Sequence, residues 1–158
     1  MLAVPPPVRR SAEAAELRER VARSLVLNTD AVVRNSVTGF PFAGNTVDTT
    51  DYSQLGRLLL QLIVGAVRQD GLDIENLPLA DLRRQVSETE IDVRTVFGLA
   101  YVIERSVMGQ LALDESLAAT SEPWAEVTQM IRRSSFDVLA AFAEESIRRP
   151  DEAPTIVR

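Results

Sequence analysis

The sequence contains no cysteine, no histidine and no lysine. Without cysteine no disulfide or thiol nucleophile can form, and without cysteine and histidine no Cys/His zinc site can form. The absence of histidine also excludes a histidine general base, a Ser-His-Asp triad and a haem held by a proximal histidine. The P-loop, GxGxxG and EF-hand motifs do not occur either. We therefore expect no cofactor, no metal and no catalytic residue.

The charge balance is acidic, with 17 arginines against 23 acidic residues and a net charge of −6. The arginines are scattered among acidic residues, so the basic stripe that binds nucleic-acid phosphates is missing. The longest apolar run spans 58–67 and is interrupted by Gln61, whereas a membrane span needs about 20 residues. The first ten residues lack the apolar segment of a signal peptide. The sequence predicts a cytoplasmic protein with neither nucleic acid nor a membrane as its partner.

Apolar residues recur at helical spacing over most of the chain, and no alternating strand pattern occurs. The length of 158 residues, 46% of them hydrophobic, suits one domain with a single core. We predict an all-α fold, a helical bundle of four long helices plus one short helix. The predicted helices span 12–34, 51–69, 79–87, 90–113 and, after the N-cap Ser121, residues to about Arg148. Residues 1–10 are predicted to be a disordered tail, 11–149 the helical domain and 150–158 a linker-like tail.

The second predicted helix is apolar on nearly all sides, which favours a central position in the bundle. The fourth predicted helix begins after Thr89, the expected N-cap, and places a carboxylate within a mostly apolar face. Positions 97, 100, 101, 104, 107, 108 and 111 share this face. A buried carboxylate is costly unless it is paired. One interpretation is a ligand site built from Tyr101, Glu104 and Met108. The other is a structural role, either in an ion pair with an arginine of a neighbouring helix or at the rim of the bundle.

Residues 36–50 connect the first two predicted helices and contain a Phe-Pro-Phe run, with Phe40 and Phe42 on either side of the proline. Connections of this length are often lids or binding loops. We interpret Phe40 and Phe42 either as part of a lid over an apolar ligand pocket or as a hydrophobic plug at the end of the bundle.

Asn28 interrupts the apolar row of the first predicted helix, as a register-setting polar residue does in a coiled coil. This helix could pack across a two-fold axis or on its own bundle. Four glycines, Gly56, Gly65, Gly98 and Gly109, lie inside predicted helices, where each costs about 1 kcal/mol relative to alanine. We interpret them as points of close helix approach, with contact to a small molecule as the alternative.

Several stretches resemble one known group of domains. They are Tyr52-Ser-Gln-Leu-Gly-Arg-Leu-Leu-Leu-Gln-Leu, Leu82-Arg-Arg-Gln, Ile91-Asp-Val-Arg-Thr-Val-Phe-Gly-Leu, and Trp124-Ala-Glu-Val with Phe136-Asp-Val-Leu-Ala-Ala-Phe. In helix order and apolar positions, residues 12–147 resemble the all-helical N-terminal sensor domains of bacterial signalling proteins. These domains are related to the N-terminal domains of stressosome RsbR-type co-antagonists and precede histidine kinases and diguanylate cyclases. The resemblance implies a haem-free sensor or dimerisation module and assigns no functional residue. The connection at 36–50 is longer than we expect for a member of this group.

We therefore predict a non-enzymatic sensory domain that forms a homodimer, through the first predicted helix or through the fourth and fifth. A shift of the last helix would relay the signal to a downstream effector of diguanylate cyclase or kinase type, or to a partner protein. The alternative is a free-standing bundle that binds a small apolar ligand or acts as a protein adaptor. A third hypothesis is an enzyme that uses Glu104 and Tyr101.

Overall fold

The computed structural model of the protein describes residues 7–39, 49–69, 79–89, 91–117 and 123–152. These residues form six α-helices and one short 3-10 helix, and none of them belongs to a strand. The helices are α1 (Pro7–Leu27), α2 (Thr29–Gly39), α3 (Thr49–Arg68), α4 (Leu79–Thr89), α5 (Val93–Ala112) and α6 (Pro123–Glu152), with the 3-10 helix at Glu115–Leu117. The predicted all-α class is confirmed.

The first predicted helix is divided in the structure at Asn28. The Asn28 side chain donates a hydrogen bond from Nδ2 to the Ser24 carbonyl oxygen at 2.7 Å, and the Thr29 hydroxyl donates to the Leu25 carbonyl oxygen at 3.1 Å. These side chains occupy carbonyl groups at the end of α1, and the Asn28 carbonyl accepts from the Val32 N–H at 3.0 Å to open α2. The described residues therefore form four helices of 20 or more residues and two of 11, which differs from the predicted count of one short helix.

The bounds of α3, α4 and α5 agree with the predicted ranges to within three residues. The N-cap of α5 is Asp92, whose carboxylate accepts from the Arg94 N–H at 3.4 Å. The predicted N-cap, Thr89, instead ends α4 and donates its hydroxyl to the Gln85 carbonyl oxygen at 2.7 Å. At the two ends of the described chain, α1 begins at Pro7, within the segment predicted to be a tail, and α6 extends beyond the predicted end at Arg148.

On both sides of the division at Asn28 the chain runs antiparallel to α3. Arg68 Nε lies 3.3 Å from Glu19 Oε2, and Arg57 Nη2 lies 2.6 Å from Asp30 Oδ1. From the first ion pair to the second, the residue number rises from 19 to 30 in α1 and α2 and falls from 68 to 57 in α3. Both ion pairs therefore belong to one antiparallel register. Exposed pairs of this kind contribute about 0–1 kcal/mol each to stability.

The other long helices complete a four-sided bundle. Phe97 near the start of α5 makes an edge-to-face contact with Phe142 late in α6, with ring centroids 6.4 Å apart, so these two helices are antiparallel. Around the bundle the order is α1–α2, α3, α6 and α5, and each side packs mainly on its two neighbours. The short helix α4 packs on α3 and α6, and the Gln85 side chain donates to the Gln54 side chain of α3 at 3.1 Å.

The core lies along the axis of this bundle and is built almost entirely from aliphatic side chains. As its sequence predicted, α3 is central and packs on all five other helices. The largest side chains that are fully buried are Tyr52, Leu55, Leu59, Leu60, Leu62 and Ile63 of α3, with Leu25, Leu82, Leu99, Ile103, Leu111 and Phe142 from the helices around it. Burial raises the pKa of Tyr52.

Candidate functional site

The predicted ligand-binding residues of α5 lie in different environments. Tyr101 is 59% exposed, Glu104 is half-buried, and Met108 is partly buried and packs against the core. The fully buried positions of the same predicted face are Ala100, Val107 and Leu111. The face is therefore only partly covered by neighbouring helices, and Glu104 lies at the edge of the core and not at its centre.

Phe40 and Phe42, the other two predicted ligand-binding residues, lie outside the described residues. The interpretations of their loop as a lid and as a plug both stay predictions.

Two aromatic side chains are exposed on neighbouring helices at the outer surface of the bundle. Tyr101 of α5 is 59% exposed and Phe136 of α6 is 70% exposed. The contact between Phe97 and Phe142 places these two residues at the same level of the antiparallel pair α5 and α6. Four residues further toward the middle of the bundle, Tyr101 of α5 is therefore level with position 138 of α6. At 1.5 Å per residue, Tyr101 and Phe136 lie within about 3 Å of the same height along the bundle axis. We call the surface around these two side chains the α5–α6 face.

Phe136 was not among the predicted functional residues, although its spacing from the apolar residues of α6 indicates a surface position. The buried residues Val127, Ile131, Val138 and Phe142 define the side of α6 that faces the core. Phe136 precedes Val138 by two residues, which places it about 200° around the helix from the buried side. A large aromatic residue that departs from the apolar stripe of its own helix marks a surface position.

A cleft of about 290 Å³ lies between α1, α3 and α6 on another flank of the last helix, and we call it the α1–α6 cleft. Its lining consists of Ala14 and Arg18 from α1, Val67 from α3, and Glu126, Gln129, Met130, Arg133 and Ser134 from α6. Val67 and Ser134 are buried, Met130 is partly buried, and Arg133 is exposed. The cleft thus combines an apolar floor with a charged rim. Sequence reasoning did not find it, because the lining comes from three helices that only tertiary packing brings together.

A second cleft, of about 510 Å³, lies between α2 and α3. Its lining includes Val33 and Val37 from α2 and Arg57 from α3, and the ion pair between Arg57 and Asp30 lies at its side. Neither this cleft nor the α1–α6 cleft is lined by the predicted ligand residues of α5. The structure therefore does not join those residues to either cleft.

A polar cluster connects α1 with the segment that follows α5. Asp114 Oδ1 accepts hydrogen bonds from the Ser116 hydroxyl at 2.7 Å and from the Ser116 N–H at 3.0 Å. The hydrogen bonds from Ser116, with further contributions from the Ser24 hydroxyl and the Arg20 charge, lower the pKa of Asp114, although burial opposes the shift. Arg20 also donates from Nη2 to the Ser116 carbonyl oxygen at 3.0 Å. The cluster anchors the 3-10 helix to α1. Its residues line neither of the two clefts described above.

Within the described ranges, no group of three or more acidic side chains is arranged to hold a metal ion. Of the six helices, none is both long enough and apolar enough to cross a bilayer.

The chain matches no protein-family model, no curated protein and no solved structure. Its resemblance to bacterial sensor domains rests on the sequence stretches alone. The two surfaces of α6, the α5–α6 face and the α1–α6 cleft, are the candidate functional sites of the described residues.

Proposed function

We propose that the chain is a non-catalytic regulatory domain that forms a homodimer through the α5–α6 face and relays a signal through α6. The observation that supports this proposal is the exposure of Tyr101 and Phe136 at the same height on neighbouring helices. Single exposed apolar residues are common on protein surfaces. Two exposed aromatic side chains at a similar height on neighbouring helices are a stronger indication, because aromatic residues are enriched at the centres of protein interfaces.

A two-fold dimer would use this face twice, because an isologous interface contains the same surface of both subunits. Four aromatic rings would then leave water on association. Burial of aromatic side chains and offset or edge-to-face contacts between their rings both favour such an interface. An interface through the end of α1 is the competing arrangement, since Val26 and Leu27 are 51% and 78% exposed there.

The relay would run through α6 because of its length and its contacts. With 30 residues it is the longest of the described helices, and at 1.5 Å per residue it spans about 45 Å. It packs on α1, α3, α4 and α5. Packed helices respond to ligands or partners by small shifts between discrete arrangements. A change at the α5–α6 face would move the helix that leads to a downstream effector, which the resemblance implies to be of the diguanylate cyclase or kinase type.

The proposal is tested by the mass of the chain in solution and by two surface substitutions. We expect sedimentation equilibrium to give a mass near twice the 17.4 kDa of one chain. Phe136→Glu and Tyr101→Glu place a charge in the proposed interface, so each variant should sediment as a monomer with an unchanged helical circular-dichroism spectrum. Because both side chains are exposed, neither substitution should alter the stability of the monomer by more than about 0.5 kcal/mol.

Leu27→Glu serves as the matched control, since it also introduces a charge at a highly exposed apolar position. It should leave the dimer intact. Dissociation by Leu27→Glu with retention by Phe136→Glu would transfer the interface to α1. A wild-type chain that stays monomeric at millimolar concentration would contradict dimerisation altogether.

The second candidate function is a bundle that binds a small ligand. The observation that favours it is the α1–α6 cleft with its apolar floor of Val67 and Met130. The two functions are compatible, because the cleft and the α5–α6 face lie on different flanks of α6.

A further inference from the structure

We infer that the α1–α6 cleft binds a small organic monocarboxylate with an aromatic or branched apolar group. Two arginines line it from opposite sides, Arg18 on α1 and Arg133 on α6. Guanidinium groups pair with carboxylates through two parallel hydrogen bonds, which fixes the orientation of the bound anion as well as its charge. A carboxylate in the cleft would be within the reach of both helices and would connect them.

The charge of the lining favours a single negative charge on the ligand. Among the described residues that line the cleft, Arg18 and Arg133 are positively charged and Glu126 is negatively charged, so this part of the lining has one net positive charge. The whole chain has a net charge of −6, and the cleft is therefore a local exception on an acidic protein. A monoanion balances this charge, whereas a doubly charged phosphate would meet the Glu126 carboxylate with excess charge.

The floor of the cleft favours an apolar body on the ligand. Met130 is partly buried above the fully buried Val67, so an apolar group placed there would displace water from the exposed part of the Met130 side chain. Methionine sulfur makes favourable contacts with aromatic rings. The volume of about 290 Å³ lies at the small end of ligand sites, which span roughly 300–1,000 Å³. A ligand of this size has one ring or one branched chain beside its carboxylate.

The cleft also has a place in the proposed relay, a step that rests on the proposed function. Most of its lining belongs to one side of α6, from Glu126 to Ser134, and the opposite wall is the middle of α1, with Ala14 and Arg18. A bound carboxylate would tie α6 to α1 and restrict the helix that we propose as the output. Binding itself does not depend on the dimer, because Phe136 and Tyr101 do not line the cleft.

Titration of the full chain with phenylacetate, followed by amide chemical shifts, tests the inference. We expect saturable shifts that concentrate on the lining residues of α1 and α6. Arg133→Gln and Arg18→Gln should each weaken binding by about tenfold or more, because each removes a charge-assisted hydrogen-bonding partner. Met130→Ala should also weaken phenylacetate binding. Arg132→Gln is the matched control, since Arg132 is the neighbouring arginine on α6, is exposed and does not line the cleft.

Two further probes separate the parts of the inference. Phenylacetamide has the ring without the charge, and inorganic phosphate has the charge without the ring, so both should bind at least tenfold more weakly than phenylacetate. Absence of saturable phenylacetate binding, or equal losses in Arg132→Gln and Arg133→Gln, would overturn the site. Equal affinity for phenylacetamide would overturn recognition of the anion, and equal affinity for phosphate would overturn the role of the apolar floor. Phe136→Glu should bind phenylacetate as the wild type does, so failure of the dimer and failure of the site are distinguishable.

Discussion

At the scale of single residues, the helical glycines Gly109 and Gly56 differ in their surroundings. Among the described residues, and apart from the backbone of its own helix, no heavy atom lies within 4 Å of the position that a Cβ would occupy at Gly109 of α5. At Gly56 of α3, a Cβ would lie 3.5 Å from Val33 Cγ1 and 3.6 Å from Ile103 Cδ1, which are ordinary van der Waals distances. The interpretation as a point of close helix approach is therefore wrong for Gly109 within the described residues, whereas Gly56 lies at contact distance from α2 and α5 and would still accommodate a methyl group.

We expect Gly109→Ala to increase the free energy of unfolding by about 0.5–1 kcal/mol. Alanine in a helix interior loses less conformational entropy than glycine, and at this exposed position it meets no neighbour. Urea denaturation of the monomeric chain measures the change, with Gly56→Ala as a companion variant that should also gain stability. A loss of stability in Gly109→Ala under these conditions would contradict the open surroundings of this position.

The predicted site on α5 shows what helical periodicity can and cannot predict about the burial of single residues. Helical spacing correctly placed Ala100, Val107 and Leu111 on the side that becomes buried. It also grouped Tyr101 with them, although the Tyr101 side chain is directed to the surface. Spacing determines which residues share a side of a helix, but the width of the strip that neighbouring helices cover depends on the packing of the whole bundle.

At the scale of elements, the division between α1 and α2 was the main feature that the sequence did not predict. Leu25 and Val32 keep helical spacing across it, and both are buried. Between them, Asn28 and Thr29 donate side-chain hydrogen bonds to carbonyl oxygens in the last turn of α1. Ser36 and Thr128 make bonds of the same kind inside unbroken helices, so such bonds accompany the break but do not by themselves cause it. The α3, α4 and α5 segments lack such a competing pair in their interiors, and their ranges followed from periodicity and breakers.

We expect the double substitution Asn28→Ala with Thr29→Ala to lower the free energy of unfolding by about 1–2 kcal/mol. Each side chain makes a hydrogen bond that contributes about 1 kcal/mol net, and their loss leaves carbonyl groups at the end of α1 without these partners. Thermal and urea unfolding measure the effect. Alanine favours a continuous helix, so a gain in stability would instead show that packing on α3 and α5, and not the two side chains, enforces the break.

At the scale of the whole molecule, α6 lies between the two surfaces on which the functional proposals depend. Its contacts with α5 position the exposed aromatic pair, and its N-terminal half lines the cleft with α1. Its core side, with Val127, Ile131, Val138 and Phe142 buried, anchors the helix between these surfaces. A ligand in the cleft and a partner on the α5–α6 face would therefore act on the same helix. Each would change the affinity of the other to the extent that both bind one position of α6 more tightly than another.

Phe136 and Phe142 lie on this one helix and allow the whole arrangement to be tested with the same chemical change. Phe142 is 1% exposed and packs edge-to-face on Phe97, whereas Phe136 is 70% exposed. We expect Phe142→Ala to lower the free energy of unfolding by about 3–5 kcal/mol, because it leaves a cavity where α5 and α6 meet. Phe136→Ala should change it by less than about 0.5 kcal/mol. Urea denaturation at a concentration where the chain is monomeric compares the two, and equal losses would mean that Phe136 is covered within the chain and that the proposed dimer face does not exist.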